Sequence, residues 1–321
     1  MTRPSSVPPP VTAVLDASSR WLPTRLGEVE ELLREATAGY GDALGADASA
    51  TLDAGGKRLR PMLVLLCAGP DHNGVVVRGA AAIELVHMAT LVHDDVLDAA
   101  PLRRGLPTVA ATSGRDRAVA TGDLLFSRAF ALLSEAGDAR SVSLLADASV
   151  ALAQGELAQR QDTFDLGVSE ERYLARCGLK TGRLFECACL LGHDSEALRD
   201  FGAGIGLAFQ LLDDVLDVSG PPERTGKARG TDLLDGTVTL PLIEAAKSDP
   251  ALREIDLRAL DAAAAEQVCD RIAATGSLEL VRARALEMVA EAKRALDQVD
   301  FGVEQRQLLE LVADGVVQRY S

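Results

Sequence analysis

Two acidic motifs of the same form lie in apolar stretches of the sequence, Asp94–Asp98 and Asp213–Asp217, each reading D-D-x-x-D. On an α-helix, residues i and i+4 share a face, so the first and last carboxylates of each motif project together. Like charges at this spacing repel, and burying them costs more. A cation offsets both costs, and oxygen ligands without Cys or clustered His suit Mg²⁺. Solvated acidic helix ends are the alternative, which the repetition within apolar sequence disfavours.

Positive side chains cluster near these motifs. Gly55 and Gly56 precede one cluster, and a second follows Asp98 by five residues. The planar donor fork of Arg suits a diphosphate. The candidate ligands are these cations and their polar neighbours: Lys57, Arg58, Arg60, Arg103, Arg104, Lys180, Thr181 and Lys227.

Helical periodicity predicts the elements that position these residues, from about residue 24 to 318. No β-strand run is predicted, which disfavours a nucleotide-binding α/β fold. We expect a flexible lead-in over 1–23 and one all-helical domain over 24–321. The predicted helices cover 24–44, a segment from near Arg60, Gly74 to Asp98, 115–135, 140–163, 169–191, 195–218, 239–247, 253–274, 277–297 and 303–318.

Composition narrows the function classes. Of the 321 residues, 47% are hydrophobic and only 3% aromatic, which favours packed helices. The formal charge of −15 argues against a nucleic-acid partner. The five cysteines lack a C-x-x-C pair, which indicates reduced, buried thiols. We see no signal peptide and no apolar run near the roughly 18 residues of a membrane span, so we expect a soluble cytoplasmic protein.

The sequence resembles the trans-polyprenyl diphosphate synthase family from Gly55 to about Pro241. The order and spacing of the matching motifs are highly specific. The matches are G-G-K-R-L-R-P at 55–61, E-L-V-H-M-A-T-L-V-H-D-D-V-L-D at 84–98, L-R-R-G-L-P-T at 102–108, G-D at 122–123, K-T at 180–181, F-Q-L-L-D-D-V-L-D at 209–217 and G-K-A-R-G-T-D at 226–232.

The resemblance implies an all-α bundle around a central cavity, of the type I isoprenoid synthase kind, and a homodimer. It implies three Mg²⁺ held by Asp94, Asp98 and Asp213, with assistance from Asp95, Asp214 and Asp217. Isopentenyl diphosphate would bind Lys57, Arg60, His87 and Arg104. The allylic diphosphate would contact Arg103, Lys180, Thr181, Gln210 and Lys227. The catalytic residues would be Asp94, Asp98, Asp213, Lys180 and Lys227.

One position departs from the family pattern. The family commonly has Lys in a G-K-x-T motif, whereas Thr237 stands here, which puts one diphosphate contact in doubt. His87 lies seven residues before Asp94, two turns along the same helix, which fits a ligand-facing position. A lone His on an apolar helix is otherwise more often a core residue, so its assignment rests on the resemblance.

The implied reaction is ionisation of an allylic diphosphate, condensation with isopentenyl diphosphate and loss of a proton. A class I terpene synthase is an alternative, but it needs no second diphosphate site. A regulatory subunit without activity of its own is another, but such partners tend to lose aspartates, and all six are present. A catalytic subunit that needs a separate small partner also remains open.

The product length is predicted from the helix that carries the first acidic motif. Ala89 and Thr90 lie one turn before Asp94, and Val86 lies a further turn back. In short-chain relatives an aromatic residue four or five places before the motif forms the pocket floor, and here both places are small. We therefore expect a product longer than geranylgeranyl diphosphate, with geranylgeranyl diphosphate synthesis as the alternative. Phe126 and Phe130 are candidates for the true floor.

Overall fold

The computed structural model describes residues 9–220 and 229–318. The chain divides into two compact units. The first unit comprises residues up to Ser149, Cys187–Arg199 and Val299–Val312. The second comprises Val150–Glu186, Asp200–Gln298 and residues from Ala313 onward.

The described residues form an almost wholly helical protein, as the sequence predicts. The α-helices are α1 Pro9–Ala17, α2 Leu22–Thr37, α3 Gly41–Asp53, α4 Leu59–Ala68, α5 Gly74–Leu97, α6 Val109–Ser113, α7 Arg115–Glu135, α8 Ala139–Gln161, α9 Glu170–Cys177, α10 Arg183–Gly192, α11 Glu196–Ser219, α12 Thr231–Leu234, α13 Leu240–Ser248, α14 Ala262–Ala274, α15 Ser277–Ala295 and α16 Val303–Gln318. A π-helical segment, Gly178–Gly182, joins α9 to α10. Short 3₁₀ segments cover Pro250–Glu254, Leu257–Ala259 and Leu296–Gln298.

Some of the predicted elements differ from those in the structure. The predicted helix over 24–44 is two helices, because Gly39 and Gly41 take positive φ angles of 85° and 73° between α2 and α3. The predicted helix over 253–274 begins only at α14, whose Asp261 cap accepts a bond from Ala264 N. Helix α1 lies within the predicted lead-in 1–23, of which residues 1–8 are outside the described part.

A small β-hairpin, β1 Leu102–Arg103 and β2 Leu106–Pro107, was not predicted. Its loop residues Arg104 and Gly105 both have positive φ, 54° and 77°. A two-residue loop of this kind is a type I′ turn, which usually carries Asn-Gly or Asp-Gly. Because Arg occupies the first loop position, the sequence lacks the usual signal.

Helix α5 forms the core of the first unit and packs against α2, α4 and α7. Asn73 caps its start by accepting a bond from Val75 N at 3.0 Å. In length and composition α5 could cross a membrane, contrary to the expectation that no apolar run comes close. However, 72% of its most apolar window is buried inside the protein, as in the core helix of a folded domain.

The C-terminal part of α5 is fastened to α7 by His93. The imidazole Nε2 lies 3.2 Å from the Val119 carbonyl oxygen and 3.5 Å from Asp123 Oδ1, and the ring stacks on Phe126. Gly122 provides the space, because a Cβ atom at this position would overlap the His93 ring. This contact therefore fixes the turn of α5 that carries Asp94, the residue that follows His93.

In the second unit, α8 approaches the π-helical segment closely. A Cβ atom on Gly155 would lie 2.5 Å from the Lys180 backbone nitrogen, so only glycine permits this approach. Asp162, just after α8, pairs with Arg176 Nη1 at 2.9 Å, and both residues are only 3% exposed. Arg176 also donates to the Val238 carbonyl and lies over the Tyr173 ring. This buried network fixes α9.

All five cysteines are buried thiols, in agreement with the prediction of reduced, buried thiols. Burial raises the pKa of the Cys269 thiol to about 12, and also raises that of Cys177 to about 12. Both thiols therefore stay protonated near neutral pH.

Arg176→Ala should lower the free energy of unfolding by about 3–5 kcal/mol, because it leaves the buried Asp162 carboxylate without this partner. Arg172→Ala is the matched control: Arg172 Nε also contacts Asp162, at 2.5 Å, but its side chain is 51% exposed. We expect the control to cost under about 1 kcal/mol. Equal losses in denaturant titrations would contradict the assigned difference.

Gly122→Ala should lower the free energy of unfolding by about 1–3 kcal/mol, because the new methyl group overlaps the His93 ring. Adding His93→Ala removes the ring, so the double variant should be no less stable than His93→Ala alone. Gly27→Ala is the control, since nothing lies within 4 Å of a Cβ there. Strictly additive losses would show that the two residues do not interact in this way.

Candidate active site

The first acidic motif lies in the last turn of α5 and directly after it. Asp94 is half-buried and Asp98 is exposed, whereas Asp95 between them is buried. Arg103 Nε donates to Asp95 Oδ1 at 2.7 Å, so Asp95 ties the hairpin to α5. The outward carboxylates of this turn are therefore Asp94 and Asp98, on the i and i+4 positions predicted from the sequence.

The second motif repeats this division on α11. Asp213 is exposed and Asp217 half-buried, whereas Asp214 is buried. Asp214 accepts a bond from the Tyr173 hydroxyl at 2.5 Å and from Gln210 Nε2 at 2.8 Å. In both motifs the second aspartate is buried, whereas the first and last are half-buried or exposed.

Asp232 adds negative charge to the second motif. Its backbone nitrogen donates to Asp217 Oδ2 at 3.2 Å. Burial raises the pKa of Asp214 well above its usual value, and the nearby carboxylates of Asp232 and Asp213 raise it further, against the bonds from Tyr173 and Gln210. The concentrated negative charge indicates a place for cations.

The donor set fits Mg²⁺ bound together with a substrate. Within residues 9–220 and 229–318, no group of three or more His, Cys, Asp or Glu side chains forms a ready-made metal cage. The outward carboxylates supply hard oxygen donors in pairs. Mg²⁺ commonly takes one or two carboxylates and completes its octahedron with waters and substrate phosphates. The site therefore suits a cation whose remaining ligands arrive with a diphosphate.

A cavity of about 280 Å³ in the first unit is lined by three of the predicted basic residues, but not by Lys57 or Arg60. Arg58, Arg103 and Arg104 line it together with His87 and Glu84. Its backbone is unusual, since Arg58 and Arg104 both have positive φ, 48° and 54°. Such conformations cost energy for residues other than glycine and cluster at binding sites.

In this cavity, His87 is surrounded by positively charged arginine side chains. Burial lowers the pKa of His87 well below its usual value, and Arg60, Arg104, Arg103 and Arg58 lower it further. Burial also lowers the pKa of Arg60 to about 10, and Glu84 partly offsets this effect. His87 is therefore neutral at pH 7 amid four guanidinium groups, and can donate one hydrogen bond to an anion. Lys57 is exposed beside this cluster.

In the second unit, Lys180 and Thr181 lie in the π-helical segment, a feature often found at functional sites. Lys180 Nζ lies 2.5 Å from Glu156 Oε2. Thr181 Oγ1 donates to Gln210 Oε1 at 2.9 Å, and Gln210 in turn bonds Asp214. The predicted residues Thr181 and Gln210 therefore form one network with the second motif, whereas Lys180 pairs with Glu156.

Two further positions were singled out in the sequence, Lys227 and Thr237. Lys227 lies outside the described residues. Thr237, which stands where the family commonly has Lys, donates its backbone nitrogen to the Asp232 carbonyl at 2.7 Å. The position thereby supports the loop that carries Asp232.

The predicted chain-length residues are buried in α5. Ala89 and Val86 are fully buried, and Thr90 donates its hydroxyl to the His87 carbonyl at 2.8 Å. Phe126 stacks on His93 with 6.0 Å between ring centroids. It therefore lies level with the acidic motif, and not one or two turns before it.

Sequence reasoning missed the side chains that support the named ligands: Glu84, Glu156, Tyr173 and Asp232. Glu84 had a signal, an acidic residue in an apolar helix three places before His87. Asp232 stood inside a quoted motif. Tyr173 had none, because it lies 41 residues from the carboxylate that it bonds.

Known proteins resemble this chain over most of its length. It is 40% identical over 241 residues to heptaprenyl diphosphate synthase component 2 of Geobacillus stearothermophilus, covering 72% of this chain and 75% of that protein. It is 37% identical over 258 residues to octaprenyl diphosphate synthase of Escherichia coli K12, covering 75% and 80%.

A solved structure of a polyprenyl synthase is also similar to this chain. The polyprenyl synthase of Caulobacter crescentus, complexed with calcium and isoprenyl diphosphate, superposes with a TM-score of 0.90 at 35% identity and covers 99% of this chain and 100% of that one. The family profile described as polyprenyl synthetase matches residues 42–275. The fold is thus the all-α isoprenoid synthase fold, and the chain belongs to the polyprenyl synthetase family.

Proposed function

We propose that this chain is a Mg²⁺-dependent trans-prenyltransferase that condenses isopentenyl diphosphate with an allylic diphosphate to give an all-trans polyprenyl diphosphate longer than C20. The observation that carries the proposal is the cavity in which arginines surround a neutral His87. An enzyme that only ionises one allylic diphosphate needs no such second anion site, which disfavours the terpene synthase alternative.

Isopentenyl diphosphate would bind in this cavity, to Lys57, Arg60, His87 and Arg104. The guanidinium groups offer planar pairs of donors that match phosphate oxygens. Arg58 contributes to the same positive field from the start of α4. Held there, the alkene would lie at a fixed place relative to the diphosphate, which lowers the entropic cost of condensation.

The allylic diphosphate would bind through Mg²⁺ to Asp94, Asp98 and Asp213, with Asp217 assisting. Asp95 and Asp214 would act mainly by holding Arg103 and Gln210 in place. Arg103, Lys180, Thr181, Gln210 and Lys227 would contact the diphosphate itself. We propose three Mg²⁺ ions. When bound, they would neutralise the negative charge that develops on the departing diphosphate.

The reaction would begin as the allylic C–O bond breaks and its electron pair leaves with the diphosphate. Lys180 and Arg103 would stabilise this departing anion. The alkene of isopentenyl diphosphate then forms a C–C bond with the allylic cation. A proton leaves the adduct for the released diphosphate, which restores an allylic double bond. Apolar walls must exclude water, which would capture the cation.

Product length beyond C20 is supported by two lines of argument. The relatives with 40% and 37% identity carry the names of heptaprenyl and octaprenyl synthases. The positions one turn before Asp94 are Ala89 and Thr90, so no aromatic side chain stands there to form a floor. Geranylgeranyl diphosphate synthesis is therefore the less favoured alternative.

The active form would be a cytoplasmic homodimer. Val150 and Leu157 lie seven residues apart on α8 and are 58% and 63% exposed, so one face of this helix offers apolar surface for a second copy. One relative is named as component 2 of its synthase, so a heteromer that depends on a partner subunit is the alternative.

Incubating the purified chain alone with isopentenyl and farnesyl diphosphates, with and without Mg²⁺, tests the proposal. We expect Mg²⁺-dependent products longer than C20. Cyclised hydrocarbons would indicate a terpene synthase instead. Activity that appears only when a second protein is added would favour the heteromeric alternative.

Asp94→Ala and Asp213→Ala should each reduce turnover by at least about 100-fold, because each deletes a proposed Mg²⁺ ligand. Neither should lower the melting temperature of the metal-free protein, since removing one carboxylate relieves repulsion in its motif. Asp116→Ala, at an exposed aspartate of α7, is the control and should retain turnover. Wild-type rates in either motif variant would exclude the metal assignment.

Ala89→Phe should shorten the main product to about farnesyl or geranylgeranyl length, because its ring would block the path along α5. Ala89→Leu, which overpacks the buried site less, should give intermediate lengths. For both variants, the product lengths are measured, and the initial rate of condensation is measured to check that the enzyme is still active. An unchanged product distribution in folded Ala89→Leu and Ala89→Phe would mean that the chain grows along another route.

A further inference from the structure

Glu84 is a buried carboxylate inside the arginine-lined cavity. It is 3% exposed and lies on α5, three residues before His87. A negative side chain in a site proposed to bind an anion requires an explanation. Burying a carboxylate is costly unless charged partners compensate it.

The compensation comes from the cavity's own cations. Arg58 Nη1 donates to Glu84 Oε1 at 2.9 Å, while Arg58 Nε donates to Glu30 Oε1 at 2.5 Å. Burial opposes the charge of Arg58, but the bonds and charges of Glu30 and Glu84 outweigh it and raise its pKa. The charge of Glu84 also favours the protonated form of Arg60.

Arg104 faces Glu84 from the hairpin. A Cβ atom placed on Gly56 would lie 3.4 Å from Arg104 Nη1 and 3.5 Å from Glu84 Oε1, so both groups converge above Gly56. The other acids lining the cavity have different partners. Asp95 pairs with Arg103, and Asp47 pairs with Arg117.

The same cations would attract Glu84 in the empty cavity and the diphosphate in the occupied one. Without a ligand, Glu84 reduces the repulsion among the guanidinium groups. With a diphosphate bound, Glu84 repels it at short range and in a poorly solvated place. We propose that Glu84 is a built-in counter-ion that stabilises the empty cavity and weakens its affinity for the diphosphate, an inference that rests on the proposed function of this cavity.

A lower affinity of the cavity for the diphosphate would assist chain elongation. After each condensation, the diphosphate that entered with isopentenyl diphosphate is the diphosphate of the lengthened product. That product must leave the arginine cavity and bind as the next allylic substrate before another cycle begins. A counter-ion that competes for the arginines favours this departure, whereas an uncompensated cavity would retain the diphosphate.

Glu84→Gln tests the inference, because the amide oxygen can still accept from Arg58 while the charge is removed. Calorimetric titration with inorganic diphosphate in EDTA reports the cavity without metal-dependent binding. We expect about tenfold tighter binding, the scale of one unit charge at this range, and a melting temperature of the free protein lower by a few degrees. With limiting enzyme, shorter intermediates should accumulate.

Glu30→Gln is the matched control, since Glu30 bonds the same Arg58 but has a side chain that is 29% exposed. Solvent screens its charge, so diphosphate binding should stay within about twofold of wild type. Equal or weaker binding by Glu84→Gln would overturn the inference while the cavity assignment stands. No binding by wild type in EDTA would overturn the cavity assignment and the inference together.

Discussion

Charged groups in this protein are placed on helices whose other residues build the apolar core, and each charge must therefore be compensated. The protein meets this requirement with one dedicated partner set per site. Arg103 holds Asp95, Tyr173 and Gln210 hold Asp214, and Arg58 holds Glu84. The outward carboxylates and the arginine cluster are groups of the kind that cations and substrate phosphates would bind.

The helices and their connections serve this division of roles. Thr181, in the π-helical segment, joins the network of the second motif, and Gly155 permits the close approach of α8. Positive φ angles at Arg58 and Arg104 store strain where the cavity needs its cations. His93 packs closely against Gly122, which fixes the turn of α5 that carries Asp94. The rigid backbone therefore fixes the position of each side chain that is predicted to bind substrate or metal.

Much of the fold follows from local sequence signals. Helical periodicity predicts 115–135 as the structure has it, and the i, i+4 spacing correctly identifies the outward aspartates of each motif. The supporting partners could not be predicted, because Tyr173 and Glu84 act through contacts that depend on tertiary packing. The hairpin at Arg104 was missed because its turn lacks the usual residues.

We expect the outward carboxylates to hold cations only together with a diphosphate. Thermal unfolding of the wild-type protein with Mg²⁺ alone, inorganic diphosphate alone, and both together tests it most directly, because ligands that bind the folded state raise its melting temperature. We expect the two together to raise the melting temperature by more than the sum of their separate effects. A purely additive result, or a full rise with Mg²⁺ alone, would contradict it.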